Sequence, residues 1–301
     1  MKQYLTKFST RAEYTAALQN LNFPNVTYLS EDDELVFAQN APEPPAHDYS
    51  LDCFTIEITD GTDVLHVGDG HETESLQHSV DGGNTWESHV EPDGMEVKAG
   101  DKIMLKCTDH LTPYDSIIAF DGDATYNVYG NIMSLVYGDD FVGKTSLWKD
   151  SEYTFTNMFA STSVVDASNL VLPATDLPIG CYSGMFKNCS YLTAAPELPA
   201  TRVVENCYND MFNGCSSLTT APALPATEGQ YPNSCYMNMF AGCSNLNYIK
   251  MLLTDVSDFH CLDGWVSGVA SSGTFVKHPD AELPTGVNGI PEGWTVETAT
   301  A

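Results

Sequence analysis

Several groups of residues in this chain have types and spacings that could do chemistry. The sharpest is Gly138-Asp-Asp-Phe-Val-Gly143-Lys144-Thr145, which satisfies the string of a phosphate-binding loop and comes directly after the apolar run Ile132 to Tyr137. In such a loop, backbone N–H groups and the lysine wrap the phosphates of a nucleotide. Asp139 and Asp140 would set two carboxylates against those phosphates. The next residues, Ser146-Leu-Trp-Lys-Asp-Ser-Glu-Tyr-Thr-Phe155, have no helical pattern that could aim an N-terminus at the anion. No partner strand ending in a magnesium-binding Asp stands out. The segment reads as a junction between modules, not a nucleotide site.

His66, His71 and His78 lie near Asp69, Glu72 and Glu74 in Gly-rich sequence, which reads as a solvated loop before it reads as a metal site. Asp121-Gly-Asp123 lacks the rest of a calcium loop. Nine cysteines are present without any CxxC pair, so a zinc site is not expected. Ser79-Val-Asp81-Gly-Gly83-Asn-Thr85-Trp86 resembles the Asp-box hairpin of sialidases, in which Asp and Ser tie a turn and Trp packs beneath. One copy predicts a stable turn, with Gly82 and Gly83 supplying positive φ. The arginine cluster of a sialidase is missing, since Arg11 and Arg202 are the only arginines. Catalytic residues, cofactors and metals are all expected to be none, and a glycan-processing enzyme is a distant alternative.

What organises the chain is a repeat. Met158-Phe159, Met185-Phe186, Met211-Phe212 and Met239-Phe240 each open a unit, and three of these pairs are flanked by cysteines: Cys181/Cys189, Cys207/Cys215 and Cys235/Cys243. Leu-Pro-Ala-Thr recurs at Leu172, Leu198 and Leu224. Cys261 begins a worn unit in which Trp265 and Val266 replace Met-Phe. Such a period is the signature of stacked units that cannot bury their own apolar faces. Apolar offsets 0, 1, 4, 5 and 8 along Cys207 to Cys215 predict a two-turn helix. The prolines after it predict a short extended segment. The cysteines read as reduced, buried, small apolar side chains. Tyr182, Tyr208 and Tyr236 read as part of the buried stripe more than as a sugar-stacking ladder.

The chain divides into five regions. Residues 1–41 form an N-terminal docking segment with a helix from Arg11 to Leu21 and a hairpin around Glu31 to Glu34, too small to be stable alone. Residues 42–50 are a Pro-rich linker. Residues 51–150 alternate as a small antiparallel β-sandwich, for example at Phe54, Ile56 and Ile58. Residues 151–270 are the repeats and 271–301 a C-terminal cap. The expected fold class is α+β multidomain: a β-sandwich followed by a short leucine-rich-repeat solenoid with a short helix and a short strand per coil.

With 12 Lys+Arg against 41 Asp+Glu the net charge is -29, which argues against nucleic acid and anionic membrane as partners. No apolar window is long enough for membrane insertion. The first residues lack the apolar region of a secretory signal, which implies synthesis in a cytosol without export by the general route.

The phrase Met-Phe-x-x-Cys-x-x-Leu-x-x-Ala-Pro-x-Leu-Pro resembles the BspA-like leucine-rich repeat, in the long-period form found in gut Bacteroides and their phages. It departs from the usual phrase in Met for Ala and in its longer period. Lys7-Phe8 through Tyr28 is similar to leaders on virion proteins of crAss-like Bacteroides phages. These resemblances imply a non-enzymatic virion structural protein: a capsid decoration, head fibre or tail-associated fibre assembled in the host cytoplasm. Its partners would be capsid or tail proteins of the same virion and, beyond the particle, a host-surface glycan or protein. A homotrimer is compatible with that role. A bacterial BspA-like cell-surface adhesin is the alternative. The docking residues implied are Phe8, Tyr14, Val26, Tyr28, Val36 and Phe37. The loops 176–180, 202–206 and 228–234 differ most between units, so Asp176, Arg202, Glu205, Glu228, Gln230 and Tyr231 are expected to face a ligand along one edge.

Overall fold

The computed structural model describes residues 7–8, 28–31, 34–37, 47–67, 76–88, 94–108, 118–147, 152–230, 232–257 and 260–300. Met1–Asp48 and Tyr49–Ala301 are two compact units. In the first, β1 (Lys7–Phe8), β2 (Tyr28–Glu31) and β3 (Glu34–Phe37) form a three-stranded antiparallel sheet in the order β1-β3-β2. Glu31 opposes Glu34 at the acidic turn, and Tyr28 opposes Phe37. The expected helix from Arg11 to Leu21 lies outside the described residues.

The second unit opens on eight strands, of which the alternation at Phe54, Ile56 and Ile58 and at Ile103, Leu105 and Cys107 marks two. They are β4 (Phe54–Asp60), β5 (Thr62–Val67), β6 (Leu76–Ser79), β7 (Glu87–Ser88), β8 (Met95–Lys98), β9 (Lys102–Cys107), β10 (Ile118–Phe120) and β11 (Thr125–Asn131). Phe54, Ile56 and Ile58 of β4 are buried, as are Ile103 and Leu105 of β9. One sheet runs β10-β5-β8. The other has six strands in the order β12-β11-β4-β9-β6-β7, where β12 is Val164–Val171.

The pairing of β11 with β12 is parallel, and β12 belongs to the repeats. On its far side Ala167 N–H donates to Ala194 O at 2.9 Å, while Val165 O accepts from Thr193 N–H at 2.9 Å. The sheet therefore runs into the repeats, and one apolar core spans both, with Phe54 and Phe159 rings 5.9 Å apart. Helix α1 (Ser134–Tyr137) is pinned beneath by Ser134, whose buried hydroxyl donates to Leu105 O at 2.9 Å and accepts from Phe54 N–H at 3.0 Å.

The backbone of the repeats overturns the expected fold class. The protein is mostly β-sheet, and among the described residues α1 is the only α-helix, four residues long and outside the repeats. No described unit contains a helix, so the leucine-rich-repeat solenoid with a helix and a strand per coil is not formed. Where a two-turn helix was expected, the chain makes consecutive four-residue turns. In the unit at Cys207, Met211 N–H donates to Tyr208 O at 3.2 Å, Asn213 N–H to Asp210 O at 3.0 Å and Cys215 N–H to Phe212 O at 3.0 Å, the i to i+3 bonds of β-turns. The intervening amides leave the unit: Tyr208 N–H donates to Cys235 O at 3.1 Å, Asp210 N–H to Met237 O at 2.8 Å and Phe212 N–H to Met239 O at 2.9 Å.

The backbone reason is a left-handed residue at every fourth position: Asn206 (φ 54), Asp210 (φ 55) and Gly214 (φ 81) here, and Gly180, Gly184 and Asn188 one unit earlier. Gly, Asn and Asp bear that conformation at least cost, and a helix cannot contain it. Apolar offsets 0, 4, 8 and 1, 5 suit a four-residue turn step as well as a helical stripe. After the turns come short parallel strands: β13 (Arg202–Val204) pairs with β14 (Glu228–Gln230), and β15 (Tyr248–Met251) with β16 (Thr274–Lys277), which pairs with β17 (Thr295–Thr298).

Candidate ligand-facing surface

The chemically conspicuous side chains of the repeats are consumed by packing. Phe186, Phe212 and Phe240 stack at 5.5 and 5.7 Å, and Tyr182, Tyr208 and Tyr236 at 6.0 Å, both columns ending against Trp265. The three tyrosines are buried and present no sugar platform. Cys189, Cys215 and Cys243 donate to Phe159 O, Phe186 O and Phe212 O at 2.9, 3.0 and 3.0 Å. Burial pushes the Cys189, Cys207 and Cys243 thiols up to about 12, so they are inert as nucleophiles near neutral pH. All nine cysteines are free thiols.

What varies between units lies at the edge. Asp176 makes a parallel bridge to Ser146, which carries the edge back to the segment before the first turns. Arg202 and Glu228 are partners across β13 and β14, with Arg202 Nε 3.8 Å from Glu228 Oε1. Both are exposed, so this ion pair orients side chains without stabilising much. Asp176, Arg202 and Glu205 line one groove of about 600 Å³ together with Glu152. Leu147, Leu177, Ile179 and Val204 give it an apolar lining. The groove is shallow and open to solvent, and its three carboxylates and one guanidinium can accept and donate hydrogen bonds to hydroxyl-rich or peptide ligands. Glu152 escapes the sequence reading because it precedes the first unit with a Leu-Pro-Ala-Thr register. Gln230 lies in β14 with its backbone opposite Val204, and Tyr231 is outside the described residues.

A larger groove of about 830 Å³ is lined by residues of the six-stranded sheet and by Met95, Glu96 and Val97 of β8. Its floor includes Thr55, Met104 and Tyr129, neighbours across β9, β4 and β11. Lys102 spans its edge, 3.1 Å from Glu57 and 5.7 Å from the Tyr129 ring centroid. Val80 and Gly82 of the Ser79–Trp86 turn also line it, while Thr55, Met104 and Tyr129 meet through strand register, which no motif encodes.

The other motifs resolve structurally. Gly138–Asp140 is a short 3₁₀ turn directly after α1, not a loop between a strand and a helix. Asp139 takes Lys106 Nζ at 2.6 Å, and Lys144 Nζ lies 5.1 Å from the Tyr137 ring centroid; neither lysine is presented to a phosphate. The Ser79–Trp86 turn is tied as its residues predict. Ser79 hydroxyl donates to Asp81 Oδ1 at 2.8 Å, Thr85 N–H and hydroxyl donate to the Asp81 carboxylate at 2.9 and 2.8 Å, and Trp86 Nε1–H donates to Gly83 O at 3.1 Å. The Thr85 hydrogen bonds, with that from Ser79, lower the Asp81 carboxyl to about 2. Lys106 sits 4.1 Å over the Trp86 ring, joining the turn to Asp139.

His66 Nε2 is 3.1 Å from Asp121 Oδ1, while His71, Asp69, Glu72 and Glu74 lie outside the described residues. Among the described residues no three His, Cys, Asp or Glu side chains converge as a metal site, and no helix is long and apolar enough to cross a membrane. Of the residues expected to dock, Phe8, Tyr28, Val36 and Phe37 fall in the sheet of β1, β2 and β3; Tyr14 and Val26 lie outside the described residues. No protein-family model matches the chain, and neither a curated protein nor a solved structure matches it.

Proposed function

We propose that this chain is a non-enzymatic structural protein of a bacteriophage virion, a capsid decoration, head fibre or tail-associated fibre. It attaches to capsid or tail proteins through residues 1–41 and presents the edge of its repeats to a host-surface glycan or protein. The observation that carries the reading is the edge itself. Two of the three loops that differ between units, bearing Asp176 and Arg202 with Glu205, share one groove, on a core whose cysteines and aromatics are spent on packing. The resemblance of the leader to phage virion proteins and the separate compactness of Met1–Asp48 support attachment at that end.

The test is binding of the fluorescently labelled full chain to Bacteroides cells, compared with a variant carrying Arg202→Glu and Glu205→Lys. The substituted side chains are exposed or half-buried, so folding should persist, verified by an unchanged urea midpoint. At least tenfold weaker binding is expected, equivalent to about 1.4 kcal/mol. Equal binding by both proteins would remove the edge from the proposal. Electron microscopy of virions incubated with a fusion lacking residues 1–41 should show no attached density.

A further inference from the structure

One rung of the repeats differs chemically from the rest. Cys181, Cys207, Cys235 and Cys261 open successive units and are all buried. The Sγ atoms of Cys235 and Cys261 lie 2.9 Å apart, closer than unbonded sulfurs settle and about one ångström beyond a disulfide bond. Among the described residues no other cysteine pair makes such a contact. In the neighbouring column Cys189, Cys215 and Cys243 each turn the thiol to a backbone carbonyl of the preceding unit, which directs the sulfurs away from one another. Cys235 and Cys261 instead turn their thiols to each other, one S–H donating to the other sulfur. The backbone is already held for a bond: Tyr236 N–H donates to Cys261 O at 3.1 Å.

We infer that Cys235 and Cys261 are a disulfide-forming pair, a covalent rung that ties the last repeat, with Trp265, to the one before it. Each thiol loses a hydrogen as the Sγ–Sγ bond forms. The two electrons and two protons pass to a low-molecular-weight disulfide such as oxidised glutathione, whose S–S bond breaks to give two thiols. Both sulfurs are shielded from solvent, so exchange takes place before the last repeat docks or while it is briefly undocked. Folding then closes over the finished bond.

The experiment uses the full chain, refolded in a glutathione redox buffer and, in parallel, incubated natively in the same buffer. Both samples are quenched in acid, alkylated under denaturing conditions and mapped by peptide mass spectrometry without reductant. The expected product links the Cys235 and Cys261 peptides with the loss of two hydrogens, the other seven cysteines being alkylated. The oxidised protein should show a higher urea midpoint than the reduced protein, and Cys261→Ser should abolish that difference and leave Cys235 alkylated. Nine alkylated cysteines after both treatments, or a dominant link between a different pair, would overturn the assignment. Reduced wild type, which needs no substitution to fold, is the reference in each arm.

Discussion

The sheets between residues 54 and 131 and the turns between 152 and 268 share one core, yet they choose neighbours by opposite rules. In the sheets each strand meets a partner of different sequence, and tied turns set the register, as Asp81 does between β6 and β7. In the repeats each residue meets its own counterpart from the next unit: Phe on Phe, Tyr on Tyr. The first rule puts specificity in connections. The second puts it in self-similarity, so a change at one rung is felt by the rungs on both sides.

The largest expected effect tests that difference directly. Phe212 stacks between Phe186 and Phe240 at 5.5 and 5.7 Å and is fully buried. Phe212→Ala should lower unfolding free energy by about 3–5 kcal/mol in urea titration. Because the core is continuous from Phe54 to Phe159, the loss should appear in a single transition; two separated transitions would show that the regions fold independently.

A smaller effect separates strain from contact. A Cβ on Gly214 (φ +81) would come within 2.6 Å of Asn188 Oδ1 in the adjoining unit, whereas one on Gly100 (φ +95), in the turn between β8 and β9, meets nothing within 4 Å. Gly214→Ala should cost the left-handed penalty of about 1–2 kcal/mol together with the displacement of Asn188, and so more than Gly100→Ala. Gly100→Ala should cost only the left-handed penalty of about 1–2 kcal/mol. Equal urea midpoints for the two variants would mean that the rungs yield more readily than their spacing suggests.

The smallest effect is local. The Asp81 carboxyl is depressed by its hydrogen bonds, so its support for the turn is complete above the unfolded carboxylate range near about 3.9. It is lost as pH falls through about 2. The amide resonance of Thr85, which donates to Asp81 at 2.9 Å, should titrate with that midpoint. Asp81→Ala should speed hydrogen exchange at Thr85 without moving the global urea midpoint.

Much of this arrangement could be read in the residues. The period, the burial of Tyr182, Tyr208 and Tyr236 and the Asp81 turn all come from side-chain chemistry at fixed spacing. The helix did not survive, because offsets 0, 1, 4, 5 and 8 cannot separate a 3.6-residue stripe from a four-residue step. The discriminating signal lay elsewhere, in Asn206, Asp210 and Gly214 and in Gly180, Gly184 and Asn188. Residues that tolerate left-handed backbone recur there at a strict interval of four. The merging of β12 with β11 left no trace of that kind. A parallel pairing between distant segments is carried by backbone register and by a core that neither segment contains alone. Glu152 entered the edge groove in the same way, through proximity that no motif encodes.

The aromatic columns also have an optical consequence. Tyr182, Tyr208 and Tyr236 stand 6.0 Å apart and lead to Trp265 at 6.4 Å, distances at which excitation absorbed by a phenol passes to an indole far faster than it is emitted. In the folded chain these tyrosines are therefore dark antennae for one indole that sits in a dry environment. Undocking the last repeat would cut the relay, so tyrosine emission would reappear as a built-in reporter of the end of the column.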